Sequence, residues 1–580
     1  MPPYVYLILA GGGMILLLAG AQWLNNRTSL NNIKSRTIGD GQHGTARFAT
    51  AQEMKQTYQA VPFTPELWRQ GKNLPDCQGI IVGQRTRSKK TTAIVDEGDI
   101  HALMIGAAGC GKTAYFLVPN IELALAAGMS FFVSDTKGDL ARWYGKIAKE
   151  RYGYRVAVLD LRKPMRSDGF NMLHLVNDYM DSYKANPADV TPKAKAENYA
   201  KIIADTIIGD TSNMGPNRFF YEAAKGLLTS VILIVAEFAE PGERHIISVF
   251  KLTQNMLAPS PVKGVTYFKY LMEKLPDAHR ANWHSGAALN ASGEGTAAVL
   301  STALSKLSAF LDAEMEQLLC FDTVIDAERF CAEKTALFVI LPEENPTRYF
   351  LVSLIVQELY NELLEIAEAR GGKLDKRVML YLDEFGTLPP IESAEMMFSA
   401  SRSRRISIVA IIQSYQQLEK HYGREGAAII VDNTQLTIAG GFAPGSESAE
   451  RISKAMGNRT VMSGSVSKGK DNASQSLQMI ERPLMSADEL KSMHKGNFIV
   501  LKTGSRPFVS KLKLFFQWGI QFDEADPYML ESHAAREVKY ARKEQIEAAI
   551  VEKYPGIAIS APEQRLAPQP GAVHKKQPKV

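Results

Sequence analysis

The sequence predicts an α/β protein: a mainly parallel sheet carrying a phosphate-binding loop, interrupted by an all-helical insert and preceded by an apolar N-terminal helix. Three observations predict it. The stretch "GAAGCGKT", residues 106–113, fits G-x-x-x-x-G-K-[ST] at every fixed position. Short apolar runs alternate with helically spaced segments on both sides of a strand-poor region, 176–319. Residues 1–26 carry no charged side chain.

The N-terminal segment comes first. Tyr4 to Leu24 is long enough to cross a bilayer as a helix, and Tyr4, Tyr6 and Trp23 lie near its ends, where aromatic belts sit. The next charges, Arg27, Lys34 and Arg36, are basic, which predicts a single-pass membrane protein with the rest of the chain in the cytoplasm. A cleaved signal peptide competes, because Ala19-Gly20-Ala21 resembles a cleavage site. Against it, no basic region precedes the apolar run, and cleavage would export a nucleotide site to a place without ATP.

Residues 27–95 form a polar juxtamembrane segment with short strands such as "GIIVG" (79–83) and "TTAIV" (91–95). The first part of a nucleotide-binding domain follows at 96–175. "HALMI" (101–105) reads as a buried strand, and helical spacing begins at Thr113. Between them, Gly106, Ala107, Ala108, Gly109, Cys110, Gly111, Lys112 and Thr113 can wrap a phosphate, because glycines let backbone N–H groups turn inward and the helix start adds partial positive charge. Lys112 would reach the β- and γ-phosphates of ATP, and Thr113 would ligate Mg²⁺. "SFFVSD" (130–135) and "RVAVLDL" (155–161) continue the strand series.

The helical insert, 176–319, includes "RFFYEAAKGLLTSVILIVAEF" (218–238) and "GTAAVLSTALSKLSAFLD" (295–312). Strands resume in the second part of the nucleotide-binding domain, 320–525. There "RVMLYLDEFGTL" (377–388) is a buried strand ending in Asp383-Glu384. Asp383 at a strand tip can hold Mg²⁺, and Glu384 can polarise an attacking water. "SIVAIIQS" (407–414) ends in Gln413, which reads either as a γ-phosphate sensor or as a strand-end amide. "SGSVSKGKDNASQS" (463–476) reads as a polar loop. The last region, 526–580, reads as helical to about 553 and then as a proline-rich, basic tail, either solvated or a partner-binding arm.

Composition bounds the alternatives. The chain has 580 residues, 45% hydrophobic and 22% charged, which suits about three or four globular units. A net charge of +5 does not by itself argue for nucleic-acid binding. Cys77, Cys110, Cys320 and Cys331 lie too far apart for metal-ligand spacing or a disulfide framework.

Taken together, these parts resemble the type IV coupling proteins of bacterial conjugation and secretion, over nearly the whole chain from about residue 43. "HGTARFAT" (43–50), "GAAGCGKT", "SDTKGDL" (134–140), "SDGFNML" (167–173), "LYLDEFGTLP" with "IIQS", and "RPLMSADEL" (482–490) carry the resemblance in order. Two features depart from the pattern: many members have two membrane spans where one is visible here, and the familiar Asn-Pro-Leu is Asn171-Met172-Leu173. The resemblance implies a membrane-anchored, RecA-like P-loop ATPase that forms a homo-hexamer. It would link a relaxase–DNA complex to a type IV secretion channel and drive single-stranded DNA through it. A nucleotide-gated docking receptor for secreted proteins, without motor activity, is the alternative. Ring ATPases of this kind often complete each site with a neighbour's arginine, and Arg402 and Arg404 in "SASRSRRIS" (399–407) are the candidates, expected near a sheet edge.

Overall fold

Residues 41–557 are described in a computed structural model, apart from 88–89, 212–213, 343–347 and 469–472, together with Gly13, Met14 and Gly20. For 465–468 and 473–477 the backbone alone is described. The expected membrane span, those three residues apart, and the tail from 558 lie outside the described residues.

Three strands form a small sheet of their own: β1 (Gln59–Pro62), β2 (Ile80–Arg87) and β3 (Lys90–Asp96), paired antiparallel in the order β1-β3-β2. Then come β4 (Ala102–Ile105), β5 (Ser130–Asp135), β6 (Arg155–Asp160), β7 (Thr335–Ile340), β8 (Val378–Leu382), β9 (Ile406–Ile412) and β10 (Leu436–Ala439). The last four are β11 (Asn458–Lys468), β12 (Ala473–Pro483), β13 (Asn497–Lys502) and β14 (Phe508–Lys511). A nine-stranded sheet runs in the order β14-β13-β10-β4-β9-β8-β5-β7-β6. From β10 to β6 every pairing is parallel, and β13 and β14 close one side antiparallel. The fold is the RecA-like α/β architecture expected.

The apolar runs of the central strands have a plain cause: both faces of the sheet are covered. Side chains alternate across a strand, so Leu103, Ile105, Phe132, Leu380, Leu382 and Ile408 enter one core. Their neighbours Met104, Phe131, Val133, Tyr381, Val409 and Ile411 enter the other. The first core continues into the helices between β6 and β7; the second includes the three-stranded sheet and the helices after β4 and β5. Each such side chain contributes roughly 1.5–3 kcal/mol when buried.

The connection from β6 to β7 holds helices from His174–Ala185 to Ala327–Ala332. At its centre, Arg218–Phe238 is buried without interruption from Leu227 to Glu237. Gly215–Phe238 is the one helix among the described residues that is long and apolar enough to span a membrane, and 67% of that apolar stretch is buried as a core element.

Three expectations need correction. The polar "loop" at 463–476 belongs to a hairpin in which β11 pairs antiparallel with β12, from Asn458↔Pro483 to Lys468↔Ala473. Serine and glycine hide a period-two pattern that has little apolar contrast to reveal it. The C-terminal region is helical only at Lys543–Lys553; residues 526–542 run irregularly across the insert. His533 N–H donates to Met165 O, Ala541 N–H to Ser248 Oγ, and Tyr540 Oη to Glu316 Oε2, so tertiary bonds replace helical ones. Finally, β9 is internal, between β4 and β8, so Arg402 and Arg404 lie at a strand start and not at a sheet edge.

Candidate nucleotide site

Strand register builds the site. Ile105 pairs with Ile412, Val133 with Tyr381, and Leu382 with Ala410, so the ends of β4, β5, β8 and β9 share one rim. The residues that leave those ends are Gly106, Asp135, Asp383 and Gln413. Parallel sheets place ligands at this rim, where the strand order reverses. Here β4 feeds a helix that crosses to β5, past β9 and β8.

The phosphate loop is anchored from below. Gly106 N–H donates to Ile412 O at 3.2 Å and Ala107 N–H to Gly441 O at 3.1 Å. A side chain at Gly106 would meet Cys110 Sγ and Gly440 O, each at 2.6 Å. Gly111 has φ +90°, which glycine adopts without strain. Cys110 is a buried filler of this turn, and burial pushes its thiol pKa up. The chain then makes a π turn, Thr113–Leu117, before the α-helix Val118–Ala126. Among the described residues, none accepts from the backbone N–H groups of Ala108, Gly109 and Gly111. Such inward, unspent donors suit an anion.

Side chains converge on the cleft, whose volume is about 640 Å³. Lys112, 6% exposed, donates from Nζ to Gly106 O at 2.8 Å. Thr113 Oγ1 lies 3.5 Å from Asp383 Oδ2. Asp383 is buried, and its backbone carbonyl accepts from Ser134 Oγ at 2.9 Å. Burial first, and the charge of Glu384 second, push its carboxyl pKa up to about 7, with Lys112 acting against them. A divalent cation beside it would reverse that preference. Glu384 has φ +53°, an uncommon conformation for a side-chain-bearing residue. The bonds of its neighbours hold it there: Phe385 N–H donates to Ile411 O, and Glu384 N–H to Asp383 Oδ1. Gln413 Nε2 donates to Glu384 Oε2 at 3.0 Å.

Lys112, Thr113, Asp383, Glu384 and Gln413 therefore meet in one cleft. Arg402 and Arg404 do not. They occupy the start of β9, at the far end of the strand from Gln413, where Arg404 Nη1 donates to Ala400 O at 3.1 Å.

The cleft also holds residues to which the sequence reading gave no site role, although Asp135 and Lys137 lie in the "SDTKGDL" motif. Asp135 Oδ1 accepts from the N–H groups of Lys137 and Gly138, and Oδ2 from those of Leu140 and Ala141. It thereby fixes the turn that presents Lys137 to the cleft. Trp143 and Tyr349 line the same space, Trp143 stacking on Phe522 at 4.9 Å between ring centres. The signal for Asp135 was available: β5 ends in an aspartate just as β8 does. No local pattern marks Trp143 or Tyr349.

The family described as "Type IV secretory system Conjugative DNA transfer" matches residues 68–548, most of the chain. The chain belongs to this family. Its relatives include the type IV secretion system-coupling protein VirD4 of Bartonella henselae, 21% identical over 434 residues, and that of Bartonella quintana, 23% over 438. Each alignment covers 73% of this chain and 64% of the relative, so the conjugative-transfer chain spans under two thirds of those proteins. Among solved structures, the conjugative coupling protein TrwBdeltaN70 superposes with a TM-score of 0.55 at 16% identity, covering 85% of this chain and 100% of its own. TrwB in complex with ADP and Mg²⁺ gives 0.54 at 16%, with the same coverage. At this identity the likeness establishes a shared fold.

Proposed function

We propose that this chain is an ATP-hydrolysing coupling protein. It links a relaxase–DNA complex to a type IV secretion channel and drives single-stranded DNA toward export. Family membership supports the coupling role. The observation that carries the enzymatic reading is the convergence of Lys112, Thr113, Asp383, Glu384 and Gln413 on one strand rim. TrwB, which shares the fold, has been solved with an ATP analogue and with ADP and Mg²⁺.

The residues present fit nucleotide and metal. The loop offers N–H donors, Lys112 offers a compact cation, and Thr113 with Asp383 offers two oxygens 3.5 Å apart. Thr113 and Asp383 would hold Mg²⁺, which supplies charge neutralisation at the phosphates when bound. Lys112 orients the terminal phosphates. Glu384 accepts the proton of the attacking water on its carboxylate, and Gln413 holds that carboxylate in place through Oε2. Under this reading 96–175 and 320–525 form one nucleotide-binding domain, with 176–319 inserted. Residues 1–26 anchor it in the bacterial membrane with the ATPase in the cytoplasm, and six copies form the working ring.

The test is ATP hydrolysis by the full chain with and without single-stranded DNA. Strong stimulation is expected of a motor. Hydrolysis that DNA leaves unchanged at every assembly state would overturn the motor and favour the nucleotide-gated docking receptor.

A further inference from the structure

A second cavity, of about 520 Å³, shares no lining residue with the nucleotide cleft. Its walls are the helix His174–Ala185, the helix Phe350–Ala369 and the segment 322–328. Carboxylates dominate the lining: Asp178, Asp322, Asp326, Glu328, Glu358 and Glu362. An acidic lining alone is ordinary surface chemistry. Glu358 makes this one different.

Glu358 is 3% exposed, and among the described residues neither carboxylate oxygen has a hydrogen-bond partner. Its neighbour one turn on is fully used: Glu362 accepts from Tyr179 Oη at 2.9 and 3.0 Å, and from Tyr199 Oη. Asn177 repeats the pattern of Glu358. Its Nδ2 donates to Arg244 O at 3.0 Å, and its buried Oδ1 is left without a donor. The basic groups of the lining do not bond them, although Arg244 Nε is itself a buried donor without a partner among the described residues. Arg244 is forked onto Asp181 at 2.7 and 2.8 Å. His174 Nδ1 is spent on Asn171 O at 2.9 Å, and burial holds the ring neutral, its pKa pushed down to about 4. Glu358 and Asn177 thus leave buried acceptor oxygens beside the cavity that no described donor meets.

Buried polar groups are ordinarily paired, and a carboxyl left without a donor is destabilising. Burial first, then the charge of Glu362, raise the Glu358 pKa well above the ordinary carboxylate value. A ligand bringing N–H donors would pair these acceptors, and a positive charge on it would draw Glu358 back to its ionised form.

We propose that this cavity binds an organic cation with several N–H donors, an arginine guanidinium or a polyamine ammonium, with Glu358 as its anchoring carboxylate. A guanidinium presents parallel N–H groups that match the two oxygens of a carboxylate. The sign of the lining excludes nucleic-acid phosphates. A metal ion is disfavoured, since no group of three His, Cys, Asp or Glu among the described residues has ligating geometry.

The test is calorimetric titration of the full chain in detergent with N-acetyl-arginine amide and, separately, with spermidine. Saturable binding is expected for at least one. Glu358→Gln keeps the shape and removes the charge, and should weaken that binding about tenfold or more. Asp178→Asn, at an exposed position on the cavity wall, should weaken it by a smaller factor without touching the core. Tighter binding of the arginine amide identifies a peptide side chain as the source; tighter spermidine identifies a free polyamine. Both outcomes support the site. Failure of both probes overturns the proposal, and so does wild-type affinity in Glu358→Gln. ATP affinity should be unchanged in both variants, so the outcome is independent of the nucleotide-site reading.

Discussion

Gln413 Nε2 donates to Glu384 Oε2 across 3.0 Å, joining the end of β9 to the turn after β8. Each residue follows a buried strand, and the parallel register of the two strands brings them level. The bond holds the carboxylate proposed to face the attacking water, and it changes if either strand end moves. Gln413→Ala should therefore lower kcat by about tenfold or more with little change in nucleotide affinity, because the lost donor acts on positioned charge and not on binding. Equal losses in kcat and affinity would make Gln413 a nucleotide-binding residue instead.

Lys112→Ala and Glu384→Gln should fail in different ways. Lys112 bonds a loop carbonyl and adds little to the core, so its loss should abolish hydrolysis while the melting temperature stays near wild type. Glu384→Gln keeps the side-chain shape and leaves Asp383 in place. ATP should bind normally and persist, with turnover down about 10²–10⁴-fold. Collapse of ATP affinity in Glu384→Gln would remove the water-activating role.

Arg402 and Arg404 can act only across a subunit boundary, since they sit at the opposite end of β9 from their own cleft. An arginine supplied in trans raises turnover by about 10³–10⁵ in phosphoryl-transfer systems. If Arg402→Ala and Lys112→Ala are each inactive, their mixture should recover activity, because a Lys112 variant can lend its arginine to an intact neighbour. Full activity in both single arginine variants would place the completing group elsewhere. Inactive variants that never rescue one another would place the arginines in folding.

Acid should weaken the fold through His101. The ring is buried, Nδ1 accepts from Ile408 N–H at 3.0 Å, and burial, followed by the charge of Arg402, pushes its pKa down to about 4. An unfolded histidine titrates near 6.5. Between those values the unfolded chain binds a proton that the folded chain refuses. The contribution is complete above about pH 6.5 and is lost as pH falls toward 4, roughly 1–2 kcal/mol by pH 5. Melting temperatures at pH 7 and pH 5 should differ less in His101→Gln than in wild type. An identical difference would exclude His101 as the sensor.

Much of the site is local and therefore legible. A phosphate loop needs glycines, a lysine and a threonine at fixed spacing, because one turn must meet one phosphate. An acidic or amide residue ending an apolar run marks a strand tip wherever it occurs. Those rules led to Lys112, Thr113, Asp383, Glu384 and Gln413 without coordinates. The parallel sheet was legible for the same reason, since strands covered on both faces lose their alternation and read as continuous apolar runs.

What the tertiary structure alone decided depends on pairings between distant segments. Trp143 and Tyr349 enter the cleft because β5 and β7 are neighbours, a fact no window of sequence contains. The internal place of β9 moved Arg402 and Arg404 away from any sheet edge. Residues 526–542 run without a helix while acceptors from both the insert and the 142–165 region bond their backbone, and β11 and β12 pair although their composition reads as a loop. Glu358 shows the limit most plainly: in sequence it is one more charge on a helix, and only packing from three segments turns it into a buried, unpaired carboxyl. Propensity and motif spacing act within one turn or one strand, whereas burial is set by whichever segments the fold brings together.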